Sequence, residues 1–507
     1  MRSTFMGLET SKRGLFVQQT ALYTTGHNIS NANTLGYSRQ RVNMQATDGY
    51  PFPGLNSPKY PGHLGTGVEA GSIQRIRDQF IDRQFRQEAN KLGYWESATK
   101  SISQMEDIMT EPSEFGINQA FTDFWKSMED VIDNPKDTAG RQVMISKAEA
   151  LAESFNYMDK QLKIIQGNIG NEISVSTDKV NSILKQIAAI NKQIGAVEPN
   201  GYVPNDLYDA RDVLVDELNQ YLPVSIEMVE SGGLASSVAE GSMTITFNGM
   251  ELVNGNKYAH INAMDTNNQP VDGEVDDIAT GEYNEFAGFA ISAIDDPPTA
   301  STTVNVTYGQ LDAAKGKLLS LVDSYGHSGG QGLYPEMLNN LDVLVKDFVD
   351  AFNAIHQGGF DLDGNPGQPF FSGDSARNIK VEITDPKEVA ASGATGEEGN
   401  NENIRKLAAL QSETRGALQN GTFQSYYKSL VGKLAVKGEE AARNTFNSGT
   451  LQLQIANSRA SISSVSLDEE MTNMITFQQA YNANARMITV IDETLEKIIN
   501  GMGRVGL

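Results

Sequence analysis

Both ends of this 507-residue chain carry apolar residues at the spacing of a helical seam. Near the start, Leu8, Leu15, Leu22 and Ile29 recur every seven residues, and Phe5 joins the stripe. Near the end, Leu467, Met471, Met474, Tyr481, Ala485, Ile488, Leu495 and Ile499 follow steps of four and three, with Gln478 and Asp492 as polar exceptions. That spacing places one narrow apolar seam on each helix, as a coiled-coil-like pair requires. The charges are complementary. Residues 1–41 hold five bases against Glu9 alone, and residues 467–507 hold six acids against three bases. Ends that can pair with each other, and with copies of themselves, describe an assembly component rather than an enzyme. Two ordinary amphipathic helices of a globular core would show the same periodicity.

Composition narrows the classes. The length suits about three domains and more than one core. With 64 acids against 40 bases the net charge is −24, which disfavours nucleic acid and anionic membranes, since both present phosphates. There is no cysteine, so disulfides and thiolate metal sites are excluded. The first 30 residues lack the continuous apolar run of a secretory signal, and no stretch approaches the ~20 apolar residues of a membrane span.

Periodicity along the interior predicts a mainly α chain with a β-rich insert (α+β), elongated and multidomain. Residues 43–72 read as loop, with Pro51, Pro53, Pro58 and Pro61 and several glycines. Helices are expected from Asp78 to Met109 and from Phe115 to Ile132. From Leu151 to Val197 apolar residues recur at threes and fours, giving one or two long helices that end before Pro199. A continuous helix from Thr138 to Val197 would span about 90 Å at ~1.5 Å per residue. After Pro223 the pattern alternates, as in Met243-Thr244-Ile245-Thr246-Phe247, beside the turn signals Asn248-Gly249 and Asn254-Gly255. This predicts antiparallel strands. Residues 224–310 hold 13 acids and one base, most simply a solvated face. Helix returns from Tyr334 to Gln357. Residues 358–380 are irregular with hairpin character, and 391–403 read as an exposed loop. From Phe423 the chain is helical, with a break expected at Asn447-Ser448-Gly449 and a fresh start at Ser466, where Ser466 and Glu469 fit a capping box. The expected division is 1–42 with 465–507 as terminal domain, 43–223 with 311–464 as long-helical rod, and 224–310 as acidic insert.

No motif for catalysis, a cofactor or a metal emerges. The five histidines, His27, His63, His260, His327 and His356, have no ligand spacing. Gly65-Thr66-Gly67-Val68 meets a relaxed dinucleotide fingerprint but lies between a proline-rich loop and an expected strand. Asp361-Leu362-Asp363-Gly364-Asn365 begins like a calcium loop, yet Pro366 and Ser372 stand where glycine and glutamate are needed. Asp209 and Asp212, one helical turn apart beside Arg211, read as structural ion-pair residues anchoring their helix.

Three stretches carry a family resemblance. Ala32-Asn33-Thr34-Leu35-Gly36-Tyr37-Ser38-Arg39-Gln40 follows the first seam. Ser466-Leu467-Asp468-Glu469-Glu470-Met471 opens the last, and Phe477-Gln478-Gln479-Ala480-Tyr481-Asn482-Ala483-Asn484-Ala485 continues it. They resemble the terminal motifs of bacterial flagellar axial proteins: rod, hook and hook-associated proteins. Gly65 to Phe80 and Asn205 to Asp212 narrow the likeness to the hook-associated members of the hook–filament junction. The hook subunit, or a binding module displayed on the flagellum, are the alternatives. The resemblance implies a structural protein that leaves the cell through the flagellar type III export apparatus. It implies a self-assembled ring, expected to have eleven subunits, between the hook protein and a second, filament-side hook-associated protein. An export chaperone is expected on the C-terminal helix, Leu467 to Ile499. The seam residues named above would form the assembly interface, with Asn31, Asn33, Gly36 and Tyr37 where the first helix must end.

Overall fold

The computed structural model describes all residues except 1–4, 52–53, 55–61, 63, 110–115, 272–282, 299–303, 312–314, 328 and 502–507. Pro53, Pro58, Pro61, His63 and the expected helix start at Phe115 lie outside the described residues. The chain runs outward from its first helix, along a helical body, and returns so that its last helix lies beside its first.

Helix α1 (Phe5–Ser30) leads into strand β1 (Gln40–Ala46), which pairs antiparallel with β2 (Val68–Arg75). The ribbon replaces part of the expected loop. Val42, Met44 and Ala46 alternate as a strand requires, but the partner strand lies beyond the proline-rich segment, so the pairing is not local. Helices α2 (Gln79–Met109) and α3 (Ile117–Asp133) follow. Helix α4 (Thr138–Val197) is a single 60-residue helix. The Asp137 carboxylate caps it by accepting from the Ala139 and Gly140 amides. It ends in a short turn of 3₁₀ helix containing Pro199 and closed by Gly201 at φ 87°. Helix α5 (Asn205–Tyr221) returns alongside it.

The β-rich segment forms two antiparallel sheets against α4. One orders β3 (Ser225–Val229), β4 (Ser242–Phe247), β5 (Met250–Asn254) and β6 (Lys257–Tyr258) as neighbours. The other orders β7 (Ile261–Asp265), β8 (Phe286–Ile291) and β9 (Val304–Thr307). Asn248 and Gly249 both take positive φ, 49° and 80°, as the two-residue turn between β4 and β5 demands. Two asparagines dock these sheets. Asn181 of α4 exchanges two hydrogen bonds with the Ile261 backbone, both 2.8 Å. Asn191, ten residues on, does the same with Met243, at 2.9 and 3.1 Å. Each amide acts as one more strand residue, satisfying backbone groups that would otherwise be buried unpaired.

Helices α6 (Tyr308–Leu311), α7 (Lys317–Tyr325) and α8 (Leu333–His356) return to the body. A small hairpin of β10 (Phe371–Ser372) and β11 (Lys380–Val381) and helix α9 (Glu402–Ala409) complete that end. The exposed loop expected at 391–403 is exposed over 395–399, while Ala391 and Asn403 are buried. Phe121 and Phe124 of α3 meet Phe348 of α8, Phe371 of β10 and Phe423, with Phe121–Phe348 centroids 5.4 Å apart and edge-on. Such packing of quadrupoles locks four segments of the chain together.

Helix α10 (Phe423–Ser463) starts at a capping box between Thr422 and Ser425 and pairs lengthwise with α2. It passes through Asn447-Ser448-Gly449 unbroken. Small residues there permit close approach: Ser448 is buried, and a Cβ on Gly449 would lie 3.8 Å from Leu92. At Gly438 a Cβ would come 2.8 Å from Glu106 Oε1. The turn signal is overridden by packing on α2. The break falls at residues 464–466, and helix α11 (Leu467–Gly501) runs back along α1. The fold is therefore mainly helical, with small antiparallel sheets and paired terminal helices. Among the described residues no helix is long and apolar enough to cross a membrane.

Candidate functional site

The face of α1 that is fully buried is made of small and polar residues: Ser11, Gly14, Val17, Ala21, Thr24, Thr25 and Asn28. Gly14 lets the helices close up, since a Cβ there would sit 2.9 Å from Asn484 Oδ1. Leu8, Leu15, Leu22 and Ile29 are half-buried beside this face, and Phe5 is exposed. On α11 the residues Met474, Tyr481, Ala485, Ile488 and Leu495 are half-buried, whereas Leu467, Met471 and Ile499 are exposed. One chain thus covers only part of each seam. The outer surface of the pair also shows Phe16 and Tyr23 on α1, and Ile475, Met487 and Val490 on α11, each at least 50 % exposed.

A polar clasp fixes the pair at its inner end. Glu470, buried to 2 % exposure, accepts from Arg39 Nε at 2.7 Å and from Asn28 Nδ2 at 3.1 Å. Arg39 also donates to Glu469 at 2.6 Å, and its backbone amide donates to the Ser463 carbonyl at 2.8 Å. Asn28 Oδ1 accepts from Tyr37 Oη at 2.8 Å and from the Gln40 backbone amide at 3.0 Å. Burial, and then the nearby carboxylates of Asp206, Asp209 and Glu470, push the Tyr37 phenol pKa upward, so it stays a donor. Asn31 returns its amide to the His27 carbonyl at 3.1 Å, and Asn33 is exposed. Gly36 takes φ 79°, and a Cβ there would meet Val213 Cγ2 at 2.1 Å, so the chain needs glycine for both conformation and space.

Beneath the clasp lies an ionic cluster. Asp209 accepts from the Ser38 amide at 2.9 Å and from its hydroxyl at 2.7 Å, and pairs with Arg75 at 2.7 Å. Asp212 receives Arg77 at 2.7 Å, Arg75 at 2.9 Å and Arg86 at 3.0 Å. Arg459 of α10 joins through Asp82 and Asp216, both at 2.7 Å. Arg211 pairs with neither Asp209 nor Asp212 of its own helix and reaches Glu240 at 3.1 Å and the Gly241 carbonyl at 2.8 Å. Burial favours the neutral acid in both aspartates. At Asp212 the surrounding Arg77, Arg75, Arg86 and Arg211 outweigh that and hold the carboxyl well below its usual range. At Asp209 burial wins over Arg75 and Ser38 and the pKa rises. The cluster joins six segments of the chain: the exit of α1, β2, α2, α5, the β3–β4 connection with Glu240, and α10. Among the described residues no group of histidines and acids could hold a metal ion.

Asn28, Arg39, Glu470, Arg75, Arg77, Arg86 and Arg459 were not legible as a set, because they converge from opposite ends of the chain. A polar residue on an otherwise small or apolar helical face, as at Asn28, Asn181 and Asn191, is the signal that could have marked the docking points.

Comparison with known proteins gives the geometry its context. Residues 102–371 match the family described as the flagellar hook-associated protein FlgK helical domain. Residues 457–501 match the flagellar basal body rod FlgEFG protein C-terminal family. Flagellar hook-associated protein 1 of Bacillus subtilis is 40 % identical over 99 % of this chain and 99 % of its own length. That of Escherichia coli is 26 % identical over 97 % of this chain and 99 % of its own. The solved flagellar hook junction protein FlgK from Burkholderia pseudomallei shares the fold, with a TM-score of 0.61 at 13 % identity, covering 76 % of this chain and 100 % of that one. The family matches and the full-length relative place this fold, with paired terminal helices on a long-helical body, among the structural proteins of the bacterial flagellum. The chain belongs to the flagellar hook-associated protein 1 family, whose place is the hook–filament junction.

Proposed function

We propose that copies of this chain form a closed ring at the junction, with the α1–α11 pair lining the inner tube and the body facing outward. The observation that carries this is the unfilled outer face of the terminal pair. Phe16, Tyr23, Met471, Ile475, Met487 and Val490 stand in solvent in one chain, and burying them against neighbours is worth roughly 25 cal/mol per Å² of apolar area. Ring closure follows if each copy offers its seam to the next with one repeated rotation. The ring has an expected eleven subunits. The hook protein lies on one side and the filament-side hook-associated protein on the other. We infer the domain division 1–42 with 465–507, 43–223 with 311–464, and 224–310. An export chaperone would cover Leu467 to Ile499 before passage through the type III apparatus, since an exposed apolar helix invites aggregation.

The test is deletion of the gene, electron microscopy of the cells, and assay of the spent medium for flagellin. Hooks without filaments, with flagellin lost to the medium, are the expected outcome. Normal filaments would overturn the reading.

A further inference from the structure

Away from the terminal pair and the ionic cluster, one cavity of the helical body brings aromatic rings together with acids. It has a volume of about 530 Å³ and opens between α2, α6, α7, α8 and α10. Tyr94, Trp95 and Tyr308 stand in its wall. The Tyr94 and Trp95 rings meet edge to face, with centroids 5.0 Å apart and planes at 89°, so together they make a corner. The tyrosines are fixed in place. Asp323 accepts from Tyr94 Oη at 2.8 Å and from Tyr308 Oη at 2.7 Å.

The chain already seats a cation on this corner. The Lys315 ammonium lies 4.2 Å from the Tyr94 ring centre and 5.6 Å from that of Trp95, within the ~6 Å reach of a cation–π contact. Lys315 is exposed and makes no ion pair among the described residues. A hydrated ammonium on a flexible stem holds such an exposed seat weakly, so another cation can compete for it.

Negative charge is left over around the rings. The wall carries Asp323, Glu336 and Glu440 against Lys437, which pairs with Glu336 at 3.4 Å. With Lys315 added from outside the wall, and His327 beside Asp323 counted as neutral, three carboxylates stand against two ammonium groups. Glu440 is exposed and pairs with no base among the described residues.

We propose that this cavity binds an alkylammonium group, which takes the place of Lys315 on the Tyr94 and Trp95 rings while Glu440 supplies the counter-charge. The ammonium is that of a free small amine or of a lysine side chain on a neighbouring polypeptide. The site lies on the helical body and does not use the outer face of the terminal helices, so it stands or falls independently of the ring.

The experiment uses the full chain with its two tryptophans, Trp95 and Trp125, replaced by fluorotryptophan and observed by fluorine NMR. Trp125 is buried in the aromatic core beside Phe124 and serves as the internal control. Trp95→Phe assigns the two signals. The protein is titrated with butylammonium chloride and, in a second arm, with the peptide acetyl-Gly-Lys-Gly-amide. Sodium chloride at matched ionic strength and butanol are the controls. A saturable shift of the Trp95 signal is expected with butylammonium or the peptide, with Trp125 unmoved and no such shift in the controls. Butylammonium acting at the lower concentration points to a free amine; the peptide doing so points to a protein-borne lysine. Lys315→Met keeps the apolar stem and removes the competing charge, so half-saturation should fall by about fivefold. Glu440→Gln removes the counter-charge, so half-saturation should rise by about threefold. Both positions are exposed, so both variants should unfold as the parent does. A Trp95 response no different from that of the controls, or a half-saturation that Lys315→Met does not lower or Glu440→Gln does not raise, overturns the proposal.

Discussion

Asn28 and Glu470 are 442 residues apart in sequence, yet the Asn28 amide donates to the Glu470 carboxylate across 3.1 Å of buried space. The contact joins the end of α1 to the start of α11. With Arg39, it is the polar lock on an interface whose remaining buried contacts on α1 are glycine, alanine, valine, serine and threonine. Small side chains bring backbones close but contribute little apolar area, so the lock carries an unusual share of the specificity.

Glu470→Ala should therefore loosen the terminal pair selectively. It leaves Asn28 Nδ2 without its carboxylate and Arg39 with Glu469 alone, at a cost of roughly 2–3 kcal/mol. Hydrogen exchange is the measurement. Amides of α1 and α11 should lose protection while the centre of α4 keeps it. Equal protection in variant and parent would show that the clasp contributes nothing to docking.

The asparagine rungs on α4 give an ordered pair of effects. Asn181→Leu strips both partners from the Ile261 backbone, costing about 2–4 kcal/mol. Asn191→Leu should cost more, because Asn191 also accepts from Arg211 Nη1 at 3.3 Å and donates to the Gly255 carbonyl at 3.0 Å. Urea unfolding of each variant checks the order. Asn181→Leu being the more damaging would contradict it.

The long elements were legible in sequence because each rests on local repetition. Helix α4 spans the residues its periodicity marks, and β4 and β5 meet at the Asn248-Gly249 turn. Elements decided by distant partners were not. Strand β1 depends on β2 across the proline-rich segment. Helix α10 continues through a turn signal because α2 accepts its small residues. The heptad leucines of α1 were readable as a stripe, but not that glycine and alanine form the closest face. Periodicity reports hydrophobicity, while close approach depends on size. Asp209, Arg211 and Asp212 stood out as charges on one helix, yet their partners, Ser38, Arg75, Arg77, Arg86 and Glu240, come from segments that no spacing rule connects to them.

His356 should make the body acid-sensitive. Its Nδ1 donates to the Gln368 carbonyl at 2.7 Å, and its Nε2 accepts from the Ala390 amide at 2.9 Å, which fixes the neutral tautomer. Burial lowers its pKa from 6.5 to about 4. Between those values the unfolded chain binds the proton more readily than the folded one. The contribution is constant above about pH 6.5 and falls as pH drops, by roughly 3 kcal/mol on reaching pH 4. Carboxylates titrate in the same window, so the informative quantity is the difference from His356→Asn. That variant should be less stable at neutral pH and should lack this part of the acid slope. Parallel stability–pH curves for the two proteins would refute the assignment.

Met487 and Val490 separate folding from assembly. Both lie on the outer side of α11 at about half exposure, so glutamate at each position meets water in the single chain. The double variant Met487→Glu, Val490→Glu should unfold within about 0.5 kcal/mol per site of the parent. In a ring the same carboxylates would be buried against a neighbour without partners, which costs far more. Cells carrying the double variant should export the protein and fail to retain filaments. Ile488→Asp provides the contrast: Ile488 is half-buried in the single chain, so that variant should lose monomer stability as well as filaments. If the double variant supports normal filaments, the outer face of α11 is not an intersubunit contact. If it unfolds as readily as Ile488→Asp, the face is already covered within one chain.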